Sequence, residues 1–151
     1  MKSTAPQLPT TVRTFGQLLS STRRGARLGR LLAVGQLRAW GTSPGVIERA
    51  EQIVAELTAN AALHGGDGRR DFRLALALDT GTGMLRIAVS DAGATPVPAV
   101  RDGAPEEAES GRGLLLVGAL ADRWGTQSEE GGKTVWAELD TTIRPCQGSC
   151  Y

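Results

Sequence analysis

Glu56 and Asn60 stand four residues apart in the segment ELTANAALHG (56–65). On a helix that spacing projects both side chains from one side. An amide oxygen at Asn60 can complete the octahedral oxygen shell of Mg²⁺, whose other ligands would be waters and phosphate oxygens. A carboxylate one turn away can orient and deprotonate an attacking hydroxyl or water. The same pair also occurs on ordinary polar helix faces, and alone it discriminates little. Asp91, in VSDAG (89–93), closes an alternating apolar run and precedes Gly93. A carboxylate there could accept a hydrogen bond from an adenine amino group, with glycine letting the backbone approach the ring. Asp-x-Gly is equally a common turn sequence. Gly111-Arg112-Gly113 opens the apolar stretch LLLVGALA. Free N–H groups at a helix start, with no Cβ in the way, can receive an anion, and Arg112 would add charge; a bare Gly-x-Gly can also be a hinge. Thr134 follows Gly131-Gly132-Lys133. Its hydroxyl could reach a base edge, or it is a plain β-branched strand residue. His64 reads as structural, with its imidazole packing near a helix end.

The elements that must position these residues follow from periodicity. Thr11 to Leu19 reads as a weak first strand, after a Pro- and Thr-containing lead over residues 1–11 that reads as disordered. Arg23–Trp40 reads as a helix whose apolar side is marked by Leu28, Leu31 and Leu32, with Arg23, Arg27, Arg30 and Arg38 on a solvated face. Gly25, Gly29 and Gly35 weaken that helix, at about 1 kcal/mol each against Ala, and Gly41 ends it. Ser43-Pro44 announces a second helix. Its apolar stripe runs through Val46/Ile47, Ala50, Ile53/Val54, Leu57 and Ala61, and Gly65-Gly66 stops it. DFRLALALD (71–79) and MLRIAVSD (84–91) alternate cleanly around the hairpin loop Thr80–Gly83. Residues 92–110 hold three prolines, two glycines and three glutamates, and read as a long loop. A short apolar helix then starts at Gly111-Arg112-Gly113, and RWGTQSEEGGKTVWAEL (123–139) closes as a second hairpin turning near Glu130–Gly132. This order predicts an α+β fold, a two-layer α/β sandwich with helices on one face of a mixed, mostly antiparallel sheet. The domain is expected over residues 12–140, with a tail over 141–151.

In combination the four segments ELTANAALHG, VSDAG, GRGLLLV and GGKTVWAEL, each on the element its role requires, resemble the histidine-kinase-like ATPase superfamily, the Bergerat or GHKL fold. Within it the chain is most similar to single-domain bacterial anti-sigma regulatory factors of the serine-kinase branch, actinomycete type; RRGARLGRLLAVGQLRAWG (23–41) looks like the first helix of such members. The resemblance spans about residues 12–139. It implies ATP and Mg²⁺ as cofactors. Asn60 would bind the metal, and Glu56 would be the catalytic acid–base carboxylate. Asp91 would bind the adenine amino group with Gly93 beside it. Gly111, Arg112, Gly113 and Leu114 would line the phosphates, Thr134 the adenine, and residues 92–110 the ATP lid. The position two residues after Gly93, often glycine in the family, is Thr95. The implied partners are a sigma factor and an anti-anti-sigma antagonist protein, with a homodimer as the working form. No phosphoacceptor-histidine helix precedes the domain, so sensor-kinase autophosphorylation is not expected.

Composition bounds these readings. The chain has 151 residues, suited to one domain, with 40% hydrophobic residues. Seventeen basic residues against sixteen acidic give a net charge of +1, which offers no general attraction to nucleic acid or anionic membrane. No apolar run approaches the roughly 18–20 residues needed to span a bilayer, and MKSTAPQLPTT has no apolar signal segment. A cytoplasmic location is expected, with no direct binding to nucleic acid or membrane. Cys146 and Cys150, the only cysteines, could form a small disulfide or half of a metal site, and read better as free thiols on the tail. Three functions compete: a protein serine kinase that also sequesters a sigma factor, a non-catalytic module that binds ATP, and a plain ATPase.

Overall fold

Alternating apolar residues build the sheet, and a 3.6-residue apolar stripe builds the helix that covers it. The computed structural model describes residues 11–64, 71–91, 114–129 and 132–142. In chain order these form β1 (Val12–Ser20), α1 (Arg23–Ala39), α2 (Pro44–His64), β2 (Asp71–Asp79) and β3 (Met84–Asp91). A helical segment α3 (residues 114–120) follows, then β4 (Arg123–Glu129) and β5 (Gly132–Asp140). The strands form one sheet in the order β1-β2-β3-β5-β4. Every pairing among the described residues is antiparallel, so the sheet carries no parallel pair there. The architecture is the α+β sandwich that the element order predicts.

Register places the apolar members of each strand side by side. Leu74 pairs with Val89, Leu76 with Ile87 and Leu78 with Leu85, while Leu85 pairs with Leu139 and Ile87 with Ala137. All are buried. The α2 stripe of Val46, Ala50, Ile53, Val54, Leu57 and Ala61 joins the same core. Thr58 is the exception on that stripe: it is fully buried, and its hydroxyl donates back to the Val54 carbonyl at 2.7 Å. That bond satisfies the hydroxyl inside its own helix.

Helix α1 packs differently from the expectation drawn from its leucines. Its buried side is Gly25, Gly29, Ala33, Val34 and Leu37, whereas Leu28 and Leu31 are exposed. The cause is close approach. A Cβ at Gly29 would meet Leu19, Thr58 and Leu74 side chains at 2.9–3.5 Å, and one at Gly25 would collide with the Ser20 carbonyl. Two of the three glycines that weaken the helix locally are therefore required where it crosses β1 and α2. Thr22 caps the start, its hydroxyl accepting from the Gly25 N–H at 3.0 Å. The end is a Schellman motif: Thr42 N–H donates to Leu37 O and Gly41 N–H to Arg38 O, both at 3.0 Å, with Gly41 at φ 75°. The hairpin at Thr80–Gly83 also forms as expected. Asp79 Oδ1 accepts from the N–H groups of Gly81 and Thr82, and Gly83 takes φ 77°.

Candidate functional site

The Thr58 turn of α2 lies near the start of β2, since a Cβ at Gly29 would touch both Thr58 and Leu74 at 3.4–3.5 Å. The chain leaves α2 at His64 and enters β2 at Asp71. The second residue of β2, Phe72, pairs with Asp91, the last residue of β3. The last turns of α2, the start of β2, the end of β3 and the start of β5 thus share one end of the sandwich.

On α2, Glu56 and Asn60 are both half-buried and flank the fully covered Leu57 and Thr58. Four residues advance an α-helix by about 40° beyond a full turn, so the two side chains occupy one flank, beside the face that packs on the sheet. They are hard oxygen donors, the type Mg²⁺ selects. Among the described residues no group of three or more His, Cys, Asp and Glu side chains gathers in one place. Mg²⁺ is usually held by one or two protein oxygens, with phosphate and water oxygens completing its shell, and Asn60 could supply one of them.

Asp91 is half-buried. Its pairing with the fully buried Phe72 directs its side chain to the helix-covered side of the sheet. Gly132 lies against it: a Cβ at Gly132 would strike the Asp91 carbonyl oxygen. The glycine before Lys133 thus lets β5 begin directly beside the end of β3. A Gly-Gly pair ahead of a strand is the sequence signal for such an approach, and it reads as a turn until the partner strand is known.

Thr134 is half-buried and its hydroxyl lies 2.8 Å from that of Ser90. Ser90 and Thr134 are register partners, and strand alternation puts both on the sheet face opposite to Asp91. The structure therefore does not bring the Thr134 hydroxyl to the side where Asp91 points. The β5 residue that shares the Asp91 side is Lys133, in step with Val135 and Ala137 and half-buried. Leu114 opens the described part of α3, and its side chain packs against the core. Gly93, Gly111, Arg112 and Gly113, the lid segment and both cysteines lie outside the described residues, as does the His64 side chain.

The family model described as the histidine kinase-like ATPase domain matches residues 19–139. The chain belongs to this family. Among solved structures, the histidine kinase-like ATPase domain described here is similar to that of the RsbU and RsbW domains of Rv1364c from Mycobacterium tuberculosis. The TM-score is 0.66 at 23% identity, over 88% of this chain and 33% of that one. It is also similar to the structure of the SiaB–SiaC complex from Pseudomonas aeruginosa, with a TM-score of 0.59 at 12% identity, over 83% of this chain and 88% of that one. The chain thus spans about a third of the length of the first of these neighbours. At these identities the likeness is one of fold. No match is found among curated proteins. No helix among the described residues is long and apolar enough to cross a membrane.

The orientation of Thr134 has a testable consequence. Thr134→Val keeps the β-branch and removes the hydroxyl that meets Ser90. It is expected to lower stability by about 0.5–1.5 kcal/mol, the usual net worth of one hydrogen bond, and to leave ATP affinity unchanged by calorimetry. A fall in affinity of about tenfold, or 1.4 kcal/mol, would instead assign the hydroxyl to the adenine.

Proposed function

We propose that this ATPase-family domain binds ATP with Mg²⁺ and transfers the terminal phosphate to a serine of an antagonist protein, acting in the cytoplasm as an anti-sigma regulator. The observation that carries the reading is the shared, half-buried flank of Glu56 and Asn60 on α2, at the same end of the sandwich as Asp91. Asn60 would hold Mg²⁺ through its amide oxygen, and the metal when bound supplies charge neutralisation at the phosphates. Asp91 would accept a hydrogen bond from the adenine amino group, with Gly93 beside it, while Gly111, Arg112 and Gly113 would line the phosphates. Glu56 would accept the proton of the attacking seryl hydroxyl as its oxygen bonds to the γ-phosphorus and ADP departs. Such transfer depends mostly on positioning and electrostatics, so a rigid helix flank is a suitable mount for both groups.

The regulatory part of the proposal draws on the kinds of protein that share the fold, an RsbW domain and the SiaB–SiaC complex. A sigma factor and an anti-anti-sigma antagonist are the proposed partners, and a homodimer the proposed working form. Strand β1 offers a sheet edge that no described strand covers, nine residues long with one charged side chain, Arg13. Long edges of that kind are prone to pair with another chain. Incubating the pure protein with labelled ATP, with and without an antagonist encoded nearby, tests the reading. Label on an antagonist serine supports the kinase. ADP release without an antagonist indicates a plain ATPase, and binding with neither product indicates a non-catalytic switch.

The metal assignment has its own test. Asn60→Ala is expected to abolish most of the increase in ATP affinity that Mg²⁺ produces and to spare the metal-free affinity. Calorimetry with Mg²⁺ and with a chelator measures both. A mutant that keeps the full Mg²⁺ enhancement would contradict the role of Asn60.

A further inference from the structure

Helix α3 is fixed at its C-terminal end by polar contacts from two different elements. The Leu120 carbonyl accepts from Arg49 of α2 twice, from Nη2 at 2.6 Å and from Nε at 3.2 Å. The last carbonyls of a helix lack partners inside it and carry the negative end of its dipole, so a guanidinium is a strong cap there. One residue later Ala121 N–H still closes the helix on the Val117 carbonyl at 2.8 Å, and Asp122 N–H donates to the Glu138 carbonyl of β5 at 2.9 Å. Asp122 Oδ2 accepts from Asp140 N–H at 2.6 Å. Val117, one turn before these contacts, is fully buried in the core.

The location of this clamp matters because of what else α2 carries. Arg49 precedes Glu56 by seven residues and Asn60 by eleven, close to two and three helical turns, so all three lie on one flank of α2. The Asp122–Glu138 contact sets the end of α3 level with Glu138, four residues along β5 from Thr134, a distance of about 13 Å. The seven described residues of α3 span about 10 Å. That is also the length of the two α2 turns from Arg49 to Glu56. A helix of this length held at Arg49 is long enough to reach the level of Glu56.

We infer that Arg49 is a positioning residue for phosphate binding: by capping α3 it fixes that helix along the flank of α2 that carries Glu56 and Asn60. The inference rests on the ATP-binding reading above. Arg49 acts through α3, so its loss disturbs the part of binding that depends on phosphate and leaves recognition of the nucleoside intact. A cap serving fold stability alone would affect both equally.

The test uses the full chain with Arg49→Gln and Arg49→Lys. Calorimetry measures Mg·ATP and adenosine, and amide exchange follows residues 115–122. For Arg49→Gln the expected result is ATP affinity lowered by about tenfold or more, as for loss of a charged hydrogen bond, with adenosine affinity unchanged and faster exchange at α3. Arg49→Lys, whose ammonium can still donate to the Leu120 carbonyl, should recover part of the ATP affinity; if the glutamine variant does not fold, an ATP-selective loss in the lysine variant carries the test. Equal weakening of ATP and adenosine overturns the inference, as does unchanged ATP affinity with accelerated exchange. A wild type that binds no ATP overturns the functional reading, and this inference with it. A wild type that binds ATP beside an Arg49→Gln variant that binds it equally overturns this inference alone.

Discussion

Glu56→Gln is expected to bind ATP almost as the wild type does and to lose about 10²- to 10⁴-fold in phosphate transfer to an antagonist serine, the usual cost of removing a general base. Glutamine keeps the size of the side chain and most of its hydrogen bonding but cannot take a proton. Glu56 sits half-buried on a helix whose neighbouring Leu57 and Thr58 are packed in the core. The substitution therefore changes chemistry at a fixed place and leaves the fold alone. Single-turnover transfer from labelled ATP, measured beside binding, separates the two effects, because a residue acting only in the transition state lowers the rate without weakening ground-state binding. Equal activity of mutant and wild type would reduce Glu56 to a carboxylate on a helix face.

Asp91→Asn is expected to weaken ATP binding by roughly ten- to a hundredfold. A hydrogen bond to a buried charged group is worth about 1.5–3 kcal/mol, and the amide replaces an acceptor with a mixed donor and acceptor. Asp91 is the last residue of β3, pairs with the fully buried Phe72 and is abutted by Gly132. Its backbone is thus held by strand pairing that the substitution does not touch. The loss should appear for ATP and adenosine alike, because the contact is to the base. This distinguishes Asp91 from Arg49, whose variants should lose affinity for ATP only. Unchanged affinity by calorimetry would remove Asp91 from the site.

The sandwich was legible wherever one face of an element is lined with large apolar side chains. Leu74, Leu76 and Leu78 alternate in β2, Leu85, Ile87 and Val89 in β3, and both strands form with those residues inside. The α2 stripe behaves likewise, and Gly41 and Gly83 take the positive φ that a helix end and a hairpin need. Helix α1 shows where the pattern misleads. A hydrophobicity count selects Leu28 and Leu31, yet the buried side is made of Gly25, Gly29, Ala33, Val34 and Leu37. Packing through small residues is driven by how closely two backbones can approach, and that depends on β1 and α2, which a local window does not contain.

The site was legible in part for the same reason. Residues four apart on a helix must share a flank, so the Glu56–Asn60 relation follows from spacing alone. The face of a strand residue depends on register, and a one-residue difference reverses it. Thr134 reads locally as either a base-edge donor or a plain strand residue, and its register with Ser90 puts its hydroxyl on the face opposite to Asp91. Gly132 read only as a turn residue, and Arg49 carried no local signal. The first matters because of the Asp91 carbonyl, 41 positions earlier, and the second because of a backbone carbonyl 71 positions later.

On the proposed function, this fold holds a working nucleotide site in which α2 supplies the metal ligand. Titrating ATP into the wild-type protein by calorimetry, once with Mg²⁺ and once with a chelator, tests it most directly. Saturable binding at a single site that strengthens when Mg²⁺ is present is the predicted result. No binding under either condition, or binding that Mg²⁺ leaves unchanged, would contradict it.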